Sequence, residues 1–197
     1  RRQRQMFIRD SPYTMEYLIR NNGSIIVTGS IDLTGTRLPE LPRFGMRMEL
    51  QQSYENLTYY GRGPLENYID RYSSSFIGRY EDKVENQFYW YIRPQETGNK
   101  TDVRWLALLN SEGEGVKITG LQPIAFSALH FSPEDLDPGL TRKLQHTIDI
   151  VPQKNIFLHV DLKQRGLGGD NSWGMYPYNK YRLLDKKYVY SLSLIHI

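Results

Sequence analysis

Hydrophobic and polar residues alternate with a period of two in several short stretches of the chain. Phe44, Met46, Met48 and Leu50 alternate with Gly45, Arg47, Glu49 and Gln51, which predicts a strand with one face on a core. The same alternation predicts strands at Ile156, Leu158, Val160 and Leu162, and at Tyr188, Tyr190, Leu192 and Leu194. Tyr17-Leu18-Ile19-Arg20 and Ser24-Ile25-Ile26-Val27 flank Asn21-Asn22-Gly23, whose residues tolerate the positive φ of a tight hairpin turn. A second hairpin is predicted for residues 105–110 and 116–119 around Ser111-Glu112-Gly113-Glu114-Gly115. Only Ser132-Pro133-Glu134-Asp135 reads as a helix start, with Ser as N-cap and Pro at the first helical position, and Pro138-Gly139 limits it to a turn or two. Residues 59–71 read as a polar loop. Neither a fixed-period repeat nor a Ser/Gly or charged linker divides the chain, so residues 1–197 are expected to form a single all-β domain, a β-sandwich with sheets packed face to face.

Composition agrees with that class. The 197 residues are enough to bury a core without staples, and 16 Gly and 10 Pro beside 15 Tyr and 7 Phe favour strands and tight turns over long helices. With 25 Lys plus Arg against 22 Asp plus Glu, the formal charge of +3 is small and interspersed, which argues against nucleic acid as a partner. The absence of cysteine excludes a disulfide scaffold and cysteine-ligated metal. No apolar run approaches the ~20 residues that span a bilayer as a helix, so no membrane anchor is expected. The opening Arg1-Arg2-Gln3-Arg4, running straight into Met6-Phe7-Ile8, has no signal-peptide core and reads as the start of a piece of a longer protein.

The acids do not announce a catalytic pair. Glycoside hydrolysis needs two carboxylates at a set separation, but with 22 acids a pair by chance is trivial. Glu66, Asp70, Glu96, Asp102, Asp161 and Asp170 are better read as turn residues and arginine partners. His130, His146, His159 and His196 have no metal-ligand spacing. No glycine-rich loop leads into Lys-Ser/Thr, and no serine sits in a nucleophile elbow. The most informative stretch is Gly166-Leu167-Gly168-Gly169-Asp170-Asn171-Ser172-Trp173-Gly174. Its glycines allow a sharp bend before turn-forming Asp170, Asn171 and Ser172, and Trp173 follows. A Trp on such a loop is suited to stacking on a sugar ring and equally to plugging the end of a sandwich.

Four stretches taken in order carry a family resemblance. They are Leu41-Pro42-Arg43-Phe44-Gly45, then Tyr60-Gly61-Arg62-Gly63-Pro64-Leu65-Glu66-Asn67-Tyr68-Ile69-Asp70-Arg71, then Arg93-Pro94-Gln95-Glu96-Thr97-Gly98-Asn99 before Asp102-Val103-Arg104-Trp105, and last residues 166–173. The chain thereby resembles the C-terminal, small-chain domain of family 2 β-galactosidases, best over residues 37–194, with 1–36 as leading strands. The resemblance implies a supersandwich of the galactose mutarotase-like type, lacking its first strands, in a retaining enzyme that hydrolyses terminal β-D-galactosides. It places the catalytic glutamates, and the Mg and Na that such enzymes often use, in a (β/α)₈ barrel outside this chain. It makes the barrel and other domains of the same polypeptide partners, in a homo-oligomer. It leaves this segment without catalytic residues or a cofactor of its own, and it assigns Trp173, with Asp170, Asn171 and Ser172, to the substrate.

Two other readings compete. In a mutarotase-like aldose epimerase His159 and Asp161, two residues apart on one strand face, would exchange a proton with the sugar. A free-standing carbohydrate-binding module would use the loop aromatics alone. The galactosidase reading further predicts that the isolated chain is inactive and exposes open strand edges.

Overall fold

A computed structural model describes residues 2–8, 11–137, 146–171 and 174–197, with side chains from residue 13 onward. Ten strands account for half of the described residues: β1 (Arg2–Ile8), β2 (Ser11–Ile19), β3 (Ile25–Asp32), β4 (Arg43–Leu50), β5 (Asn56–Gly63), β6 (Phe76–Lys83), β7 (Lys100–Leu109), β8 (Gly115–Leu129), β9 (Ile156–Gln164) and β10 (Lys187–His196). All described pairings are antiparallel, in the order β1-β2-β3-β10-β8-β7-β5-β6, with β9 also on β8 and β4 on β9.

The sheet forks along β8. Residues 116–120 of β8 pair with β10, and residues 125–129 pair with β9. Between Thr119↔Trp105 and Ile124↔Val103, four residues of β8 oppose the single Arg104 of β7. Pro123 in that insertion has no N–H for a ladder, which is where a strand tolerates a bulge and a change of direction. Gln122 repairs the gap with its side chain: its amide donates to the Ser191 carbonyl and accepts from the Ser191 N–H, both at 3.2 Å. The fork folds the β4-β9 wing over β3 and β10 and makes a sandwich. Phe44 lies 5.7 Å from Tyr188 and 5.4 Å from Tyr190, ring to ring, between the layers.

The core follows from the alternation. Ile156, Leu158 and Val160 of β9 and Tyr188, Tyr190 and Leu192 of β10 are buried together with Leu106, Leu108, Ile118 and Phe126. A smaller apolar cluster of Phe88, Leu129, Phe131, Leu136 and Ile150 lies apart from it. Ser132 caps the one-turn helix α1 (Pro133–Leu136), as the sequence predicts, and it does so through a reciprocal capping box with Asp135.

Two expectations are corrected. Residues 59–63 are not loop: they complete β5, and Tyr59 is buried. Gly61 disguised them, and it is glycine because a Cβ there would sit 2.5 Å from Val103 Cγ2 on the neighbouring strand. The second hairpin also runs on beyond Thr119, because Gly120 and Pro123 mark a bulge inside β8 and not its end.

Candidate functional site

The four sequence stretches that carry the resemblance meet in one hydrogen-bonded network. Asn67, fully buried after β5, uses every polar group it has. Its amide donates to the carbonyls of Arg62 (3.1 Å) and Leu65 (3.0 Å), and its Oδ1 accepts from the Thr101 N–H (2.9 Å) and hydroxyl (2.6 Å). Its backbone N–H donates to the Asn99 carbonyl at 2.7 Å, and Asn99 Nδ2 donates back to the Asn67 carbonyl at 2.8 Å. Glu66 beside it accepts from Arg71 (2.7 Å), the Gly98 N–H (2.8 Å), Thr97 Oγ1 (3.1 Å) and the Tyr91 hydroxyl. Such a carboxylate is locked by charge-assisted bonds. Arg62 reaches Asp102 at 2.5 Å, and Asp102 holds a left-handed backbone, φ +52°, at the β7 bulge. Glu66 and Asp102 thus each pair with an arginine.

Arg43 at the start of β4 ties the first stretch to the third. Its guanidinium donates to Glu96 (3.1 Å) and Gln164 (2.8 Å), meets His159 Nδ1 at 3.0 Å and lies 3.3 Å from Asp161 Oδ2. A guanidinium can only donate, so Nδ1 is the accepting nitrogen of His159. Burial, then the charges of Arg43 and Arg47, push His159 down to about 4, and burial pushes Asp161 up to about 7 against the pull of Arg43. The two residues imagined as an epimerase pair are therefore both engaged with one arginine, an arrangement that suits a clamp.

Lys100, buried at the start of β7, donates to Gln87 Oε1 (2.9 Å) and the Gly98 carbonyl (3.2 Å) and lacks a contacting carboxylate among the described residues. Burial pushes it down to about 8, although Glu66 and Asp82 act against the shift.

The glycine-rich stretch is moored to this network by Asp70. The Gly168 N–H donates to Asp70 Oδ2 at 2.7 Å, and the Gly166 N–H donates to the Tyr181 carbonyl at 2.8 Å. Gly166 is required by proximity: a Cβ there would lie 2.6 Å from the Asp70 carboxyl carbon. Gly166, Gly168 and Gly169 do not have positive φ, whereas Gly174 has φ +102°. From the other side Glu40, nearly buried, pairs with Arg165 (3.0 Å) and Arg182 (2.7 Å). Burial alone would raise Glu40, but the bonds from Arg182 and Arg165 outweigh it and hold the carboxyl below its ordinary range.

A cleft of about 610 Å³ opens at this mooring, lined by Asp70, Gly168, Gly169 and Asp170 on one side and by residues 175–179, Tyr181 and Arg182 on the other. Asp170 lines it and is exposed, and Asn171 is exposed next to it. Ser172 and Trp173 lie outside the described residues. The structure therefore brings Asp170 of the predicted set to the cleft mouth and adds residues that sequence reasoning missed: Tyr176, with the Arg182 guanidinium 4.3 Å from its ring centre, exposed Tyr178, and the Glu40 pairs behind them. The run Tyr176-Pro177-Tyr178 was a legible signal, two aromatics around a proline directly after the loop. Among the described residues, no three His, Cys, Asp or Glu side chains are gathered to hold a metal ion, and no helix is long and apolar enough to cross a membrane.

The family model described as beta galactosidase small chain matches residues 2–194. A beta-galactosidase of Priestia megaterium is 36% identical over 167 residues, which are 85% of this chain and 16% of that protein. Beta-galactosidases of Halalkalibacterium halodurans and Streptococcus thermophilus are 30% and 32% identical over 91% and 94% of this chain, in each case 18% of the relative. The chain thus spans less than a fifth of the length of these relatives.

Proposed function

The chain belongs to the β-galactosidase small-chain family, and from that membership we propose that it is the C-terminal domain of a retaining enzyme hydrolysing terminal β-D-galactosides. Its role is to build a rigid mount beside the active site, with the catalytic glutamates and the Mg and Na supplied by a barrel elsewhere in the polypeptide. The loop of residues 166–173 is the working part, and Trp173 stacks on the substrate, with Asp170, Asn171 and Ser172 as polar neighbours. The observation that carries this reading is the convergence of all four motif stretches on one network that ends at the Asp70–Gly168 bond. A network of buried, mutually satisfied polar groups fixes geometry more than it adds stability, which is what a mount for a substrate-contacting side chain needs.

The test is Trp173→Ala in the full-length enzyme. A lost ring-to-sugar stack raises KM by a few-fold to about tenfold, with a smaller change in kcat when the stack is equal in ground and transition states. An unaltered KM together with a large fall in Tm would make Trp173 a plug of the fold and overturn the assignment. On the same reading, the purified 197-residue chain leaves an aryl β-galactoside unhydrolysed.

A further inference from the structure

We propose that the cleft next to the glycine-rich loop is a saccharide subsite, in which Tyr178, Tyr176 and Asp70 hold a sugar unit beyond the one that Trp173 contacts, so that this domain favours longer β-galactosyl oligosaccharides. The proposal rests on the assignment of the loop to the substrate and extends it to residues outside the four motif stretches.

Three observations carry it. The cleft is lined by residues that flank positions 172 and 173 in the chain, Gly168 to Asp170 on one side and residues 175–179 on the other. Its walls have the composition that sugars require. Tyr178 is 70% exposed and Tyr176 56% exposed, which leaves aromatic surface open to the apolar C–H face of a pyranose. Tyr176 is not loose: Arg182 lies 4.3 Å from its ring centre, and Arg182 is fixed in turn by Glu40 and by Asn179 Oδ1 at 3.1 Å. A ring braced in this way presents its surface at little entropic cost on binding.

Asp70 supplies the polar end. Its Oδ2 is taken by the Gly168 N–H, but Oδ1 is buried and has no hydrogen-bond partner among the described residues, although the carboxylate lines the cleft. A buried acceptor with an unused lone pair is costly, and a turn of the Asp70 carboxylate towards the cleft would offer that oxygen to a sugar hydroxyl. Asp70 and Asp170 on the same cleft disfavour an anionic ligand. An apolar face together with donating hydroxyls and no negative charge describes a neutral sugar.

The experiment compares the full-length enzyme with its Tyr178→Ala and Tyr178→Phe variants on three substrates: an aryl β-galactoside, a β-galactosyl disaccharide and a β-galactosyl trisaccharide. The expected result for Tyr178→Ala is a roughly three- to tenfold loss of kcat/KM on the trisaccharide, carried by KM. The aryl galactoside and the disaccharide should change less than twofold, and Tyr178→Phe should recover most of the loss. Equal effects on all three substrates, or none on any, would overturn the subsite. Trp173→Ala measured in parallel separates the two ideas. If it raises KM on every substrate while Tyr178→Ala changes nothing, the loop assignment stands and the subsite falls. If Trp173→Ala is silent while Tyr178→Ala acts on the trisaccharide alone, the subsite stands and the loop assignment falls.

Discussion

Asp70 and Gly168 are 98 positions apart in the chain and 2.7 Å apart in space, the carboxylate accepting the glycine N–H. This bond fastens the segment that follows β9 to the segment that follows β5. Asp70→Ala is expected to release the loop at a cost of about 1.5–3 kcal/mol, the range for a hydrogen bond to a charged group. Asp70→Asn, which keeps an acceptor of the same shape, should lose less. Chemical denaturation of both variants checks the order, and an Asn variant as unstable as the Ala variant would sink it.

Glu66 is the busiest carboxylate of the network, and removing it leaves the Gly98 N–H and the Tyr91 hydroxyl without their acceptor and Arg71 with only the Tyr91 oxygen. Glu66→Ala should cost about 2–4 kcal/mol, a fall in Tm of roughly 5–15 °C for a domain of this size. Glu66→Gln should lie between, since it can accept from some of these donors but loses the charge. A calorimetric Tm for Glu66→Ala within a degree or two of the parent would rule out this role.

Lys100 gives the fold a signature in alkaline solution. Its folded-state value of about 8 is below the ordinary 10.5, so between these values the unfolded chain holds the proton more tightly than the folded one. Stability therefore increases as pH rises from about 8 to 10, by up to about 3 kcal/mol from this group. The buried Tyr59, Tyr68 and Tyr190, all shifted upward by desolvation, act in the opposite direction only above pH 10. Urea melts of the parent and of Lys100→Met across pH 7–10 are the check, with the rise expected in the parent and absent in the variant.

His159 and Asp161 make a subtler pair. The lowered histidine adds stability as pH rises from about 4 to 6.5, while the raised aspartate removes it from about 4 to 7, so the two slopes nearly cancel in the parent. Asp161→Asn uncovers the histidine slope: stability of this variant should climb with pH over 4–6.5 relative to the parent. A difference curve that stays flat would refute the opposed titrations.

The strands were legible wherever burial is one-sided. Phe44, Met46 and Met48, or Tyr188, Tyr190 and Leu192, announce β4 and β10 because polar residues fall on the opposite face. β5 was not, since glycines forced by close contacts imitate turn residues, and the continuation of β8 was masked by Gly120 and Pro123. Glu66, Glu96, Asp102 and Asp161 pair with arginines, but which acid serves which loop depends on contacts across 98 residues in the case of Asp70 and 53 in the case of Arg43 and Glu96, and local pattern contains no such information. Tyr176 and Tyr178 were passed over because an exposed tyrosine in a turn has no periodic partner. The run Tyr176-Pro177-Tyr178 hinted at them, and the cleft around them gives that hint a meaning.

The fork in β8 has a mechanical consequence. In a sandwich of two separate sheets, the layers are held together by side chains and can slide when a core residue changes size. Here β8 is a common spine, one half in the ladder with β10 and the other in the ladder with β9. The β4-β9 wing, and with it the glycine-rich loop that follows β9, is referenced to the rest of the molecule by main-chain hydrogen bonds. Its position is thereby insulated from drift in the core: substitutions between the layers can lower stability and still leave the loop in register with Asp70.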